Sequence, residues 1–123
     1  MAEKRGYTRL LGKGDLTLWV AANPSQTMRG TLVDVSFSGF CLSSSQRMEE
    51  GIEVLFELRI SPLKLPLKGR GKIIYVKEVV KNNIRGYRNG VRFLDVDGNL
   101  VKRMLNAVQT EIILQKRQVK KIV

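Results

Sequence analysis

Hydrophobic and polar residues alternate along most of the first three quarters of the chain, a pattern typical of β-strands that bury one face. The alternation is clearest around Phe56, which is expected to face a core together with Val54 and Leu58. Glu53 and Glu57 lie on the opposite face and are expected to contact water. Turn residues divide this pattern into six predicted strands, over residues 15–22, 28–35, 39–43, 52–60, 67–80 and 87–96.

Two turns and one helix complete the prediction. Residues 23–25 (Asn-Pro-Ser) are expected to form a turn after the first strand, and residues 81–86 to form the turn of the last hairpin. From Asp97 the spacing of apolar residues changes to about 3.6, which predicts a helix, and Asp97 or Asn99 is available as its cap. The apolar face of this helix consists of Val101, Met104, Leu105, Val108, Ile112 and Val119.

Six short, closely spaced strands followed by a helix favour a mainly β fold, a small antiparallel barrel closed at one end by the helix. We expect a single domain in three parts. Residues 1–14 contain little apolar material and form a flexible basic arm, residues 15–96 form the barrel, and residues 97–123 form the C-terminal helix.

Composition narrows the chemistry of this domain. The 123 residues contain 22 Lys and Arg against 11 Asp and Glu, a formal net charge of +11, with one cysteine and no histidine. An intramolecular disulfide, a zinc finger and a histidine-dependent triad are therefore excluded, and we expect no metal and no catalytic residue. Cys41 is expected to be a small buried hydrophobe. No apolar run approaches the ~20 residues of a membrane span, and the N-terminus lacks a signal segment, so a cytoplasmic protein is expected.

Positive charge is concentrated in two parts of the chain. Residues 64–92 contain nine Lys or Arg and one acidic residue, and residues 102–123 contain six and one. Such a field favours anionic partners, which include phosphates, nucleic acids and acidic membrane surfaces.

Two short motifs stand out. Arg5 and Arg9 form an RxxxR just before the first predicted strand, and Asp34, Ser36 and Gly39 form a DxSxxG between the second and third strands. About one RxxxR is expected by chance in a chain with eleven arginines, whereas a DxSxxG is expected in only about one such composition in twenty. Taken alone, the arginines are also consistent with solvated tail charges. The second motif is also consistent with an Asx turn in which Gly39 has a positive φ.

Together with the strand pattern and the closing helix, these motifs resemble the PilZ family, bacterial receptor domains for cyclic di-GMP (c-di-GMP). The resemblance covers nearly the whole chain, including residues 72–76 and the late strand around residues 90–93. It implies a six-stranded antiparallel PilZ-type β-barrel with a C-terminal α-helix and no enzymatic activity. It also implies a ligand site formed by Arg5, Arg9, Asp34, Ser36 and Gly39, with Lys4 and Arg92 as secondary contacts.

The chemistry of c-di-GMP suits these residue types. An arginine guanidinium binds a phosphate, or O6 and N7 of guanine, through two parallel hydrogen bonds, and it also stacks on purines. The carboxylate of Asp34 accepts N1–H and N2–H of guanine together, a pair of donors that adenine lacks. Ser36 offers a hydroxyl and an amide to polar ligand atoms, and Gly39 permits a positive φ or a close approach of the ligand to the backbone.

The leading hypothesis is a c-di-GMP receptor that transmits second-messenger occupancy to a partner protein through an arm that becomes ordered on binding. Lys4 stands where the family residue is thought to influence whether one ligand or an intercalated pair binds, and a basic residue favours the pair. No other cofactor, no specific nucleic acid and no membrane span are expected.

Two alternatives differ in class. A basic barrel that binds RNA or DNA would account for the charge, but it needs base-stacking platforms. Tyr75, Tyr87 and Phe93 are available for this purpose, although strand aromatics at this spacing more often belong to a core. A PilZ-like adaptor with a silent site is the second alternative, and the intact motifs argue against it.

Overall fold

The computed structural model describes residues 10–11, 14–60 and 65–122. These residues form seven strands followed by one helix. Their bounds are β1 (Leu10–Leu11), β2 (Gly14–Val20), β3 (Asn23–Val35), β4 (Gly39–Ser44), β5 (Glu53–Ile60), β6 (Leu67–Lys81), β7 (Ile84–Val96) and α1 (Gly98–Ile122).

Strands β2 to β7 form a closed antiparallel barrel. Hydrogen-bonded neighbours follow the order β3-β2-β5-β6-β7-β4, and β4 pairs with β3 again, which closes the ring. Strand β1 is a two-residue addition in which Leu10 lies opposite Val35 and Leu11 lies opposite Asp34. The structure therefore confirms the six-stranded antiparallel barrel with a C-terminal helix.

The core lies inside the barrel, on the face that the alternating pattern predicts. Val54, Phe56, Leu58 and Ile60 of β5 are each at most 2% exposed. At the centre, three aromatic rings from β4, β5 and β7 pack with centroid distances of 5.1 to 5.9 Å. Edge-to-face and tilted packing of this kind stabilises the core beyond its buried area. These rings belong to Phe40, Phe56 and Phe93.

Helix α1 is attached to the barrel through its predicted apolar face. Val101, Met104 and Val108 are buried in the same core cluster. Asp97 is the N-cap, because its Oδ1 accepts hydrogen bonds from the backbone amides of Asn99 at 2.9 Å and of residue 100 at 3.3 Å. Between the two caps that the sequence left open, the structure thus selects the aspartate.

Three local predictions were wrong. Residues 23–25 belong to β3, and the turn lies at residues 21–22. Pro24 is tolerated in the strand because the register shifts there and leaves it between ladder pairs, where no backbone amide is needed. The last hairpin turn spans two residues rather than six. Residues 10–11, within the predicted arm, form β1 because β3 extends past the end of β2 and presents an open edge to them.

Candidate functional site

The DxSxxG motif spans the end of β3, the connection to β4 and the first residue of β4. Asp34 pairs with Leu11 of β1 on one side and with Cys41 of β4 on the other. Its neighbour Val35 is completely buried in the core, whereas Asp34 is half-buried. Because successive strand residues point to opposite faces, Asp34 belongs to the outer face of the barrel.

Ser36 holds the β3–β4 connection together from inside. It is 1% exposed, and its Oγ accepts a hydrogen bond from the Ser38 amide at 3.2 Å and lies 3.1 Å from the Ser38 hydroxyl. Its own amide donates to the carbonyl of Gly39 at 2.8 Å. The Ser38 carbonyl in turn accepts from the Phe93 amide on β7 at 2.8 Å. The connection is therefore fixed at both ends and to a third strand, and the Ser36 side chain is occupied within it.

A glycine is needed at position 39 because strand β7 lies too close for a side chain. A Cβ at this position would overlap the carbonyl oxygen of Val91 and lie 3.0 Å from the Cα of Arg92. Among the described glycines, only Gly51 has a positive φ, so the Asx-turn alternative in which Gly39 has a positive φ is not observed. The close approach that the glycine permits in this structure is that of β7.

Arg92 is brought next to the motif by strand pairing. It lies directly opposite Gly39 in the β4–β7 ladder, and its side chain is exposed. Arg88 and Gly90 precede it on the same face of β7, because residues two apart in a strand point the same way. The outer face of β7 therefore presents two exposed arginines, one on each side of a glycine.

The strand spacing favours a core position for Tyr75, but the structure places this residue on the outer face of the barrel. The β6–β7 register shifts between Ile73 and Tyr75, so residue 74 is an extra residue and Tyr75 lies opposite Gly90 on the outer face. A Cβ at Gly90 would overlap the tyrosine ring, which shows that the ring lies across that glycine. The Tyr75 hydroxyl donates to the Sγ atom of Cys41 at 3.2 Å.

Lys4, Arg5 and Arg9 lie outside the described residues. Phe93 packs against the core, and Tyr87 is half-buried opposite Glu78. Cys41 is 3% exposed, which confirms its assignment as a buried residue.

Within the part of the chain that the structure describes, no group of three His, Cys, Asp or Glu side chains is placed to hold a metal ion. None of the helical segments among those residues is both long enough and apolar enough to cross a membrane.

Comparison with protein families identifies the class to which this geometry belongs. The model of the PilZ domain matches residues 4–109, which include both sequence motifs and all seven strands. The chain belongs to the PilZ family. The search of curated proteins gave no significant match.

Solved structures that share this fold include the following three. The PilZ domain with c-di-GMP of YcgR from Escherichia coli has a TM-score of 0.75 at 17% identity, covering 94% of this chain and 98% of that one. YcgR in complex with c-di-GMP from Escherichia coli has a TM-score of 0.67 at 21% identity and 96% coverage. The Bacillus subtilis inhibitor of motility (MotI/DgrA) has a TM-score of 0.65 at 12% identity and 97% coverage. The chain spans about half of these last two, 48% and 53% of their lengths.

Proposed function

We propose that this PilZ domain is a receptor for c-di-GMP that converts occupancy of its site into a surface read by a partner protein. The observation that carries the proposal is the position of Asp34. The carboxylate stands on the outer face, on a strand end fixed by the β3–β4 connection, and it is flanked by β1. A fixed carboxylate beside a basic surface suits a ligand that combines guanine donors with phosphates.

Asp34 is the residue proposed to recognise the guanine base. An ionised carboxylate accepts two hydrogen bonds side by side, which matches N1–H and N2–H on the edge of guanine. Adenine presents an acceptor at N1 and has no N2 amino group. The proposed site therefore selects c-di-GMP over c-di-AMP at this one residue.

Arginines supply the contacts to phosphate. Arg92 lies opposite Gly39, one strand from the motif, and its exposed guanidinium is suited to a bidentate phosphate contact. Strand β1 begins at Leu10, opposite Val35, so the chain that follows Arg9 enters the barrel beside Asp34. This entry point supports the assignment of Arg5 and Arg9, preceded by Lys4, to the same ligand.

Ser36 and Gly39 are proposed to affect ligand binding indirectly, through the conformation of the β3–β4 connection. Their buried contacts set the position of the β3–β4 connection, and with it the position of Asp34. The role proposed for both is to position the site.

The solved relatives support the receptor. Two of the three are described with c-di-GMP, and their fold covers at least 94% of this chain. The third is described as an inhibitor of motility. We further propose that the protein is a cytoplasmic binding domain without a catalytic step, and that its output depends on a partner protein. None of the comparisons favours the nucleic-acid alternative, and one of its three candidate stacking residues, Phe93, packs against the core.

Calorimetric titration of the full chain with c-di-GMP at two salt concentrations tests the proposal. We expect saturable binding with micromolar or better affinity and a shallow salt dependence, because the ligand carries only two charges. A polyanion releases many counterions and weakens steeply and log-linearly with salt. Absence of c-di-GMP binding, or tight sequence-dependent binding of DNA or RNA at physiological salt, would refute the receptor.

A further inference from the structure

The hairpin of β6 and β7 projects beyond the rest of the barrel. The pairing of β6 with β5 ends at Lys72, and the pairing of β7 with β4 ends at Tyr87. Nearer the turn, the described strands pair only with each other, as far as Lys81 opposite Ile84. Residues 79–86, which we call the hairpin tip, therefore form a two-stranded extension of the barrel wall.

Two exposed apolar side chains lie at the hairpin tip. Val80 is 62% exposed and Ile84 is 72% exposed. Val80 directly precedes Lys81, which is the cross-strand partner of Ile84. Because cross-strand partners share a face and successive strand residues alternate, Val80 and Ile84 lie on opposite faces of the hairpin. Single exposed apolar residues are common on soluble proteins, but here the end of a projection is apolar on both faces.

Positive charge surrounds this apolar end. Residues 75–90, all of which the structure describes, contain four basic residues and one acidic residue. The acidic residue, Glu78, is paired with Arg85 at 2.7 Å. The other three basic residues lie on the opposite face, where Lys77 stands directly opposite Arg88. Like charges placed opposite each other destabilise a pair of strands, so an anionic partner on this face would relieve the repulsion.

The spacing along the hairpin matches the depth of a membrane interface. The Lys77–Arg88 pair lies four positions from the last pair of the hairpin tip, about 13 Å along the strands. Apolar groups that bind to a bilayer surface are buried about 5–10 Å into the boundary between headgroups and acyl chains. The hairpin tip is therefore long enough to bury Val80 and Ile84 while Lys77 and Arg88 remain at the level of the headgroups.

The two apolar faces favour a lipid surface over a protein surface. A flat protein surface covers one face of a hairpin and leaves the side chain on the other face in water. A bilayer surrounds an inserted tip on all sides, so it covers Val80 and Ile84 together. Anionic headgroups also complement the basic residues next to these two side chains.

We propose that the hairpin tip binds an anionic membrane surface end-on, with Val80 and Ile84 inserted and the neighbouring basic residues in contact with the headgroups. The inference goes beyond the proposed receptor function and does not depend on c-di-GMP binding. It assigns an anionic partner to the basic hairpin, as the charge pattern of the sequence favours.

Co-sedimentation of the full chain with lipid vesicles is the first test. We expect binding to vesicles that contain phosphatidylglycerol together with phosphatidylcholine. We expect no measurable binding to vesicles of phosphatidylcholine alone, since the attraction requires anionic headgroups. Binding to the anionic vesicles is expected to weaken as the salt concentration is raised.

A double variant separates insertion from charge. Val80→Thr combined with Ile84→Thr keeps the net charge and the branched Cβ atoms that suit a strand, and it is expected to weaken vesicle binding about tenfold. Leu65→Thr is the matched control, because Leu65 is also 62% exposed and precedes β6 at the end away from the turn. This control is expected to bind vesicles like the wild type.

A fluorescence measurement detects insertion without removing an apolar residue. The chain has one tryptophan, Trp19, so Ile84→Trp in a Trp19→Phe background reports on the hairpin tip alone. We expect anionic vesicles to shift its emission to the blue, and lipids brominated in their acyl chains to quench it. Leu65→Trp in the same background is expected to show neither change.

Absence of wild-type binding to anionic vesicles would overturn the inference. Wild-type affinity of the double threonine variant, or an unshifted emission of Ile84→Trp, would show that the hairpin tip is not inserted and would overturn it as well. Poly-glutamate is the probe for an acidic protein surface. If it binds through Val80 and Ile84 while anionic vesicles do not bind, the hairpin tip docks on an acidic protein and the inference of a lipid surface is wrong.

Discussion

Two connections between antiparallel strands of this barrel are stabilised in different ways. The β3–β4 connection is closed by the buried side chain of Ser36 and is bound through Ser38 to the backbone of β7. The β6–β7 turn consists of Asn82 and Asn83 alone, with φ values of 54° and 64°, as in a type I′ hairpin. The described contacts of the first connection extend across three strands, whereas the second is exposed and depends on local backbone conformation.

Positive charge and the proposed site lie in different parts of this protein. The β6–β7 turn lies in the most basic part of the described chain, but its flanking residues Lys81 and Arg85 are exposed, and Arg85 is paired with Glu78 at 2.7 Å. The β3–β4 connection carries less positive charge and follows directly after Asp34, whose backbone pairs with β1 and β4. Recognition of a specific small ligand depends on fixed geometry, so we assign the proposed site to the first connection. The basic hairpin contributes a general field.

The largest expected effect is on ligand binding through the arm. Replacing Arg5 or Arg9 by alanine should weaken c-di-GMP by about 3 kcal/mol or more, because each charged hydrogen bond contributes about 1.5 to 3 kcal/mol. Lysine should restore this only in part, since it lacks the planar fork. Calorimetry measures the affinity. Near-native affinity of Arg9→Lys would show that the contact is only electrostatic, and a large fall in the melting temperature of the unliganded variants would contradict a role confined to the ligand.

The next effect is on stability at the β3–β4 connection. Gly39→Ala should lower the free energy of unfolding by about 3 kcal/mol, because the new methyl group overlaps the Val91 carbonyl of a hydrogen-bonded strand that has little room to move. Denaturant unfolding measures the change. Gly86→Ala is the control and should stay within about 1 kcal/mol of the wild type. Equal stability of the two variants would contradict the tight packing of β4 against β7.

The β6–β7 turn should respond to backbone conformation alone. Asn83→Ala should cost about 1 kcal/mol, since a left-handed conformation disfavours alanine by roughly 1 to 2 kcal/mol, and Asn83→Gly should not show this loss. Denaturant unfolding compares the pair. Neither variant should change c-di-GMP affinity. A loss of affinity in both would show that the two turns are coupled and that the contrast between them is false.

The smallest effect expected is that of hairpin charge on the ligand. Neutralising Lys81 and Arg85 together should change c-di-GMP affinity by less than about twofold at physiological salt, because these residues lie beyond a Debye length of about 8 Å from Gly90 along the strand. The same double variant should weaken any non-specific DNA binding more strongly. Calorimetry with both ligands makes this comparison, and an equal loss for both would indicate that charge alone explains c-di-GMP binding.

The sequence was sufficient for most of the fold because the relevant signals are local. The alternation in β5 and the 3.6-residue spacing after Asp97 each identify a buried face without reference to another strand. Strand β1 could not be predicted from the pattern, since two leucines form a strand only because β3 offers them an open edge.

The site was only partly predictable, for the same reason. The motif residues were recognisable. The reason that position 39 needs a glycine is the close approach of β7, more than fifty residues later in the sequence. The outward position of Tyr75 follows from the extra residue at position 74, and an apolar run such as residues 73–76 does not reveal which of its members is skipped in a ladder. Arg92 joins the motif through strand register, which a linear pattern does not contain.

The central claim is that Asp34 reads guanine on a surface fixed by the β3–β4 connection. The most direct test is a parallel titration of the wild-type protein and Asp34→Ala with c-di-GMP and c-di-AMP at the same ionic strength. We predict that the wild type prefers c-di-GMP clearly, that Asp34→Ala weakens c-di-GMP, and that the variant no longer distinguishes the two ligands. Equal binding of both nucleotides by the wild type, or an unchanged preference in Asp34→Ala, would contradict the account.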